Sequence, residues 1–251
     1  MTQERERGSI PTLSVVVPVR NEAGNIGPLV LEIAAVLKGC AFEIVCVDDG
    51  SRDGTSQELR ELMTQRPWLR QIRHTQTCGQ SAALRTGVTL ARAPTIVTID
   101  GDGQNDPAYM PQLIAALESN SPRFGMVAGL RVGRKASGFK MWQSRVANGF
   151  RAHVLKDGTR DTGCGLKVFS REIFLSLPYF DGLHRFLPAL VRREGFDVGY
   201  VEVTDRPRRH GVSNYGIWDR LWVGIFDLVG VWWLIRRRKR IPQSEEVDLA
   251  R

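Results

Sequence analysis

The stretch Thr95-Ile-Val-Thr-Ile-Asp-Gly-Asp-Gly-Gln-Asn-Asp-Pro107 constrains this chain more than any other. A short run of apolar and threonine side chains before Asp100 predicts a buried central strand. Asp100, Asp102 and Asp106 then crowd its C-terminal end, the edge at which open α/β sheets bind ligands. Carboxylates this close repel one another unless a cation holds them. Asp100, Asp102 and Gln104 offer hard oxygen donors, which suit Mg²⁺ or Mn²⁺. Gly101 and Gly103 let the backbone turn tightly and approach a ligand. A plainer reading competes: a solvated acidic turn that caps the next helix, with Asp106 as N-cap and Pro107 at the first helical position. The D-x-D string alone does not decide between them, so its surroundings must.

Those surroundings repeat the pattern. Residues 13–17 form a continuous apolar run, which Pro18 is expected to stop. A polar loop, Val-Arg-Asn-Glu-Ala-Gly-Asn-Ile, leads into a helix over roughly 24–38. A second apolar run, 42–47, ends in Asp48-Asp49-Gly-Ser-Arg-Asp-Gly-Thr, where Thr55 is expected to cap a helix reaching about Gln65. A weaker strand over 69–74 and a helix over 79–91 follow, the latter turning Ala82, Ala83, Leu84 and Val88 to the sheet. After the D-x-D strand, a helix is expected over 107–119. Strands alternating with helices predict a parallel, doubly wound sheet. Its strand ends at 18–22, 48–51 and 100–104 all carry polar groups, and neighbouring parallel strands bring such ends into one crevice.

The second half is less regular. A strand is expected over 125–130 and an amphipathic helix over 140–155, with Trp142, Val146, Phe150 and Val154 on one side. Asp161-Thr-Gly-Cys-Gly-Leu-Lys167 is a glycine-rich turn before the apolar Val168-Phe169. Short helices are expected over 171–177 and 185–194. Residues 197–203 alternate like an edge strand. The loop Arg206-Pro-Arg-Arg-His-Gly-Val-Ser-Asn-Tyr215 holds little that could be core. It reads as a shaped anion site, against a solvated basic surface or a nonspecific contact with acidic lipid.

Formal net charge is +8, with basic residues clustered at 131–151, 206–209 and 236–240. An anionic partner is therefore expected: phosphates, nucleic acid or an acidic membrane surface. No aromatic-rich nucleic-acid motif accompanies the charge, which weighs against nucleic acid. The most apolar stretch, 217–235, carries Trp218, Trp222, Trp232 and Trp233, but Asp219, Arg220 and Asp227 interrupt it. Tryptophans beside the flank Arg236-Arg-Arg-Lys-Arg240 fit a helix lying in the membrane interface on the cytoplasmic side. A buried C-terminal helix or a self-association helix, giving a homo-oligomer, are the other readings. Cys40, Cys46, Cys78 and Cys164 form no C-x-x-C pair and read as reduced thiols. The polar N-terminus suggests no signal peptide. The expected organisation is a tail over 1–11, a catalytic domain over 12–214, a membrane-associated helix with its basic flank over 215–240, and a tail over 241–251.

Val17-Pro18-Val19-Arg20-Asn21-Glu22, Asp48-Asp49-Gly50-Ser51-Arg52-Asp53-Gly54-Thr55 and Asp100-Gly101-Asp102-Gly103-Gln104 resemble the nucleotide-sugar half of inverting family 2 glycosyltransferases. The resemblance implies a GT-A fold: a Rossmann-like, open, mostly parallel sheet flanked by helices. Asp161-Thr-Gly-Cys-Gly-Leu-Lys-Val-Phe169 and Arg208-Arg-His-Gly-Val-Ser-Asn-Tyr215 resemble acceptor-side motifs of the polyprenyl-phosphate branch, which is dolichyl-phosphate mannose synthase-like. By that resemblance Pro18, Glu22, Asp49 and Asp100 would bind the nucleotide sugar. Asp100, Asp102 and Gln104 would hold Mg²⁺ or Mn²⁺. Arg131, Lys140, Ser144, Arg208 and Ser213 would hold the acceptor phosphate, with Asp102, Arg131 and Arg208 central to catalysis. Two departures stand out. Asn214 replaces a lysine common in this branch, and Gly101 replaces a residue that is often alanine. Many relatives also carry full transmembrane helices after this domain, where this chain has only the Trp-rich stretch.

The implied reaction moves a sugar from a UDP or GDP sugar to a polyprenyl phosphate, for envelope glycan or lipid modification. Its acceptor oxygen is already anionic, so no strong general base is needed. A rival reading is transfer to a glycan or protein hydroxyl, which would need a carboxylate base such as Asp161 or Asp205. A non-catalytic nucleotide-sugar binder is a second rival.

Overall fold

In a computed structural model of the protein, the described residues are 10–132, 154, 155, 158, 159, 161–207 and 217–237. The strands are β1 (Leu13–Val19), β2 (Phe42–Asp48), β3 (Leu69–Arg73), β4 (Thr95–Thr98), β5 (Phe124–Arg131), β6 (Lys167–Ser170) and β7 (Asp197–Val203). The helices are α1 (Ile26–Val36), α2 (Thr55–Met63), α3 (Gln80–Leu90), α4 (Met110–Ser119), α5 (Arg171–Ser176), α6 (Leu187–Arg193) and α7 (Ile217–Arg236). The strands make one sheet in the order β3-β2-β1-β4-β6-β5-β7. Only β6 runs against its neighbours; the remaining pairings are parallel. The expected mostly parallel α/β sheet is thus present. Residues 197–203 form an edge strand, as their alternation predicts.

The alternation of strand side chains builds a core on each face. Val15 and Val17 of β1, Ile44 of β2, Val97 of β4 and Val168 of β6 point into a cluster covered by α1 and α4 through Leu29, Ile33 and Leu113. Val16, Ile96, Met126 and Phe169 point the other way, against Leu84 and Val88 of α3, Phe174 of α5 and Leu190 of α6. Central strands covered on both faces are mostly apolar, as β1, β2 and β4 are; the buried Ser14 of β1 and Glu43 of β2 are hydrogen-bonded to each other.

Two local expectations are corrected. Pro18 does not stop β1, which continues to Val19 and pairs through Val19↔Asp48. Pairing with β4 ends at Val16↔Thr98, so Pro18 lies where one neighbour has already turned away and a missing N–H is tolerated. Thr55 is the first residue of α2, not its cap; Gly54 takes the cap position. Asp53 accepts the Thr55 main-chain N–H, and the Thr55 hydroxyl accepts the N–H of Glu22. Asp106 does cap the single 3₁₀ turn at Pro107–Tyr109 that opens α4, accepting from the Ala108 N–H. The four cysteines are free thiols, with Cys46 and Cys164 buried.

Of the predicted helix over 140–155, only the last two residues are described. Lys140, Ser144, Arg208 and Ser213 lie outside the described residues. Among the described residues no helix is long and apolar enough to cross a membrane. Helix α7 instead packs one face on the domain through Leu228, Val231, Trp232 and Ile235. On its other side Phe226, Val229 and Trp233 are 74%, 56% and 49% exposed. Arg236 and Arg237 lie over the Trp232 and Trp233 rings, with 4.1 and 4.7 Å to the centroids.

Candidate active site

The parallel registers bring the C-terminal ends of β1, β2 and β4 side by side, and their loops are tied together. The Asp49 N–H donates to Val19 O (2.9 Å), and the Asn21 N–H to the Ser51 hydroxyl (3.0 Å). Asp49 is buried. Its Oδ1 accepts the Cys78 N–H and faces His74 Nδ1, both at 2.8 Å, while Oδ2 accepts the Gly79 N–H at 2.9 Å. Asp49 therefore pins the 74–79 loop and the start of α3. Asp49, His74 and Cys78 are also the only described group of such side chains gathered closely enough for a metal. Both Asp49 oxygens already hold N–H groups, and His74 Nε2 is spent on the Thr86 hydroxyl at 3.0 Å. Hydrogen bonding satisfies this cluster without a cation.

The D-x-D loop differs. Asp100 Oδ1 accepts from Gln80 Nε2 (2.9 Å), and Asp102 Oδ1 accepts the Gln104 N–H (3.0 Å). Among the described residues, the second oxygen of each carboxylate has no hydrogen bond. Gln104 O accepts the Arg206 N–H at 2.7 Å, and Asn105 bridges to Asp205. Arg206 pairs with Glu32 and Asp106. The acidic loop is thereby fixed to the chain leaving β7, at the root of the basic loop.

Charge at Asp100 is under-compensated. Burial lifts its pKa to about 6; Asp102 and Asp205 push the same way, and Lys167 and Arg131 oppose them. Two carboxylates with vacant oxygens and a nearby amide fit a hard divalent ion, whose charge would restore the ionised form. The cost of this arrangement is measurable. An acid whose folded pKa is raised contributes stability below its unfolded value, near 4, and loses it as pH climbs through the folded value. Asp100→Asn should therefore stabilise the metal-free protein at pH 7.5, on the order of 2–3 kcal/mol, and leave it unchanged at pH 4. Urea melts at the two pH values check this; an equal shift at both would contradict it.

The glycine-rich turn closes the other side. A Cβ at Gly165 would lie 2.3 Å from Asp100 Cγ and Oδ2, so only glycine lets the backbone pass there. The turn is held by the Thr98 hydroxyl on Gly165 O (2.7 Å) and by the Lys167 ammonium on Cys164 O. Register Thr98↔Lys167 places Lys167 beside the D-x-D strand. Burial lowers the Lys167 pKa, against the pull of Cys164, Asp100 and Asp161. Arg131, at the end of β5, forms a two-pronged pair with Asp161 (Nε–Oδ2 2.6 Å, Nη2–Oδ1 2.7 Å) and reaches Asp205 at 3.4 Å. Burial raises the Asp161 pKa, but hydrogen bonds and charge from Arg131 outweigh it and hold the carboxyl below its ordinary value.

The glycine-rich turn, Lys167 and Pro18 line an open cavity of ≈ 500 Å³ beside Asp100. Such a site can hold a small polar ligand.

Residues 14–177 match the family described as Glycosyl transferase family 2. The chain belongs to that family. It is 35% identical over 234 residues to the dodecaprenyl-phosphate galacturonate synthase of Rhizobium johnstonii, covering 91% of this chain and 68% of that one. It is 32% identical over 224 residues to the undecaprenyl-phosphate 4-deoxy-4-formamido-L-arabinose transferase of Pseudomonas aeruginosa strain PAO1, covering 88% and 65%. Among solved structures it is similar to glucosyl-3-phosphoglycerate synthase from Mycobacterium tuberculosis crystallised with Mn²⁺, UDP and phosphoglyceric acid. That likeness has a TM-score of 0.68 at 19% identity, over 93% of this chain and 80% of that one, and shows the shared GT-A fold.

Within this glycosyltransferase, the structure gathers Pro18, Glu22, Asp49, Asp100, Asp102 and Gln104 on the three tied loops. Glu22 accepts from Asn25 Nδ2 at 2.7 Å. Arg131 is not among the residues that line the cavity; its guanidinium lies against Gly163 of the glycine-rich turn and is engaged by two carboxylates. Sequence reasoning passed over Gln80, Lys167, His184 and Arg185, which line the cavity together with Pro18 and Asp100. Lys167 ends the glycine-rich motif and could have been singled out. His184 and Arg185 follow Gly182 in a short segment with no periodic or motif signal.

Proposed function

We propose that this glycosyltransferase moves a sugar from a UDP or GDP sugar to a polyprenyl phosphate, with inversion at the anomeric carbon. The observation that carries the reading is the likeness, across about nine-tenths of this chain, to transferases named for dodecaprenyl and undecaprenyl phosphate acceptors. The geometry supports it. Asp100, Asp102 and Gln104 would hold Mg²⁺ or Mn²⁺, which when bound stabilises the negative charge that grows on the leaving diphosphate. Pro18, Glu22 and Asp49 belong to the loops that would hold the nucleoside. Arg131, Lys140, Ser144, Arg208 and Ser213 are proposed to receive the acceptor phosphate, Arg131 chiefly by fixing the turn around Asp161.

A hydroxyl acceptor would need a carboxylate base. Both candidates, Asp161 and Asp205, are paired with Arg131, and Asp161 is a weakened base for that reason. A phosphate oxygen needs no such group. Cations near the site would offset the repulsion between two anionic substrates, which is otherwise several kcal/mol at close range. The test of donor binding is calorimetric titration with UDP and with GDP, with and without Mg²⁺ or Mn²⁺. Binding of one nucleotide that depends on the metal and vanishes in Asp102→Ala supports the reading; metal-independent binding, equal in the variant, contradicts it.

The catalytic domain is proposed to span 12–214, and residues 215–240 to rest on the cytoplasmic face of the membrane. The exposed Phe226, Val229 and Trp233 beside Arg236 and Arg237 suit an interfacial contact. Replacing all three apolar residues with serine should weaken co-sedimentation with anionic vesicles by about tenfold or more. Unchanged sedimentation would remove α7 as the contact.

A further inference from the structure

The cavity beside Asp100 has a wall that the reaction above does not use. Its lining includes Asp100, Gln80 and Lys167 together with Asp181, His184 and Arg185. Asp102, Gln104, Glu22 and Asp49 are not in it. The diphosphate and nucleoside ends of a donor bound at those residues would therefore remain outside, and only the group beyond the diphosphate would reach in.

The chemistry of the lining separates a sugar from an anion. A phosphate seat needs a surplus of cations, whereas here the carboxylates of Asp100 and Asp181 line the space, Lys167 is already held by Cys164 O, and among the described residues Arg185 alone is left to offset them. Donors and acceptors mixed around a cavity suit a ring of hydroxyls, each of which both donates and accepts. His184 is kept neutral: burial drives its pKa down to about 3, and Lys167 and Arg185 add to this. Its Nδ1 meets the Ser81 hydroxyl at 2.8 Å, which leaves Nε2 as the ring's remaining polar atom. The wall is also fixed. Ser81 in the first turn of α3 anchors it on one side, and Asp227 of α7 packs on Gly182 from the other, 2.8 Å from where a Cβ would stand.

We propose that the turn from Asp181 to Arg185 reads the transferred sugar, with His184 as a hydrogen-bond donor and Asp181 as an acceptor to its hydroxyls, making these residues determinants of donor specificity. The inference rests on the donor reading above and deepens it.

The test uses the full chain reconstituted with undecaprenyl phosphate and Mn²⁺. Donors are UDP-glucose, UDP-galactose, UDP-glucuronic acid, UDP-N-acetylglucosamine and GDP-mannose, with UDP and GDP as sugar-free probes. Wild type defines the preferred donor. His184→Phe should lower kcat/KM for that donor about tenfold or more and flatten the ranking among sugars that share its nucleotide. Affinity for the free nucleotide should stay within about twofold. His184→Gln, which keeps a donor, should recover part of the loss, and Asp181→Asn should alter the ranking independently if His184→Phe does not fold. Loss of nucleotide and nucleotide-sugar affinity by one common factor, or an unchanged ranking in folded variants, would overturn the proposal and leave the donor reading intact. A wild type that binds neither UDP nor GDP in the presence of Mn²⁺ would overturn both.

Discussion

Replacing Arg131 with alanine is expected to lower the free energy of unfolding by about 3–5 kcal/mol and to abolish sugar transfer. The Arg131 and Asp161 side chains are only 12% and 13% exposed, and Asp205 shares the same guanidinium. Removing the cation takes from the sheltered Asp161 its two-pronged partner and from Asp205 a nearby positive charge, which costs far more than a surface pair is worth. Arg131→Lys should recover little, because an ammonium cannot make the two-pronged contact. The effect carries a pH signature. Asp161, with its lowered pKa, contributes stability above its unfolded value, near 4, and loses it as pH falls through the folded value. The gap between wild type and Arg131→Ala should therefore be wide at pH 7.5 and start to shrink only below about pH 4, closing as pH falls through the folded value. Urea denaturation across this range measures it. A gap below about 1 kcal/mol at pH 7.5 would show that the pair is spectator to the fold.

Gly165→Ala should act on activity more than on stability. The added Cβ would stand 2.3 Å from the Asp100 carboxyl, and the turn cannot easily retreat because Thr98 and Lys167 hold its carbonyls. The carboxylate must move instead. A displacement of about 1 Å at a reacting centre costs on the order of 10²-fold in rate, so kcat/KM should fall by at least about that much while the thermal midpoint shifts modestly. Gly103→Ala is the contrasting case. Gly103 has φ = 71° and nothing within 4 Å of its would-be Cβ, so the substitution adds backbone strain of about 1 kcal/mol and no collision. Equal losses from the two substitutions would mean that the Asp100 position is not the sensitive quantity.

The fold was legible wherever a residue pattern had one physical cause. The predominantly apolar runs at β1, β2 and β4 call for burial on both faces, and Asp197–Val203 alternates because it is an edge. The acidic strand ends converge because parallel register forces them to. What stayed hidden depended on long-range partners. Pro18 looked like a stop because its neighbour's early departure is a property of β4. The thirty-residue separation of Arg131 and Asp161 gives no local signal that they pair. His184 shows nothing in its own segment; its part in the cavity comes from Ser81, 103 residues away. The antiparallel insertion of β6, which sets Lys167 beside Asp100, follows from topology and not from the sequence of β6.

The most direct measurement is transfer itself. Membrane-reconstituted protein is given undecaprenyl phosphate, Mg²⁺ or Mn²⁺, and radiolabelled UDP- and GDP-sugars, with Asp102→Ala in parallel. Label is expected in the lipid fraction from a preferred donor, and none without the metal or in the variant. Metal-dependent donor binding with no lipid product from any donor would contradict the polyprenyl phosphate reading and return the hydroxyl-acceptor reading to first place.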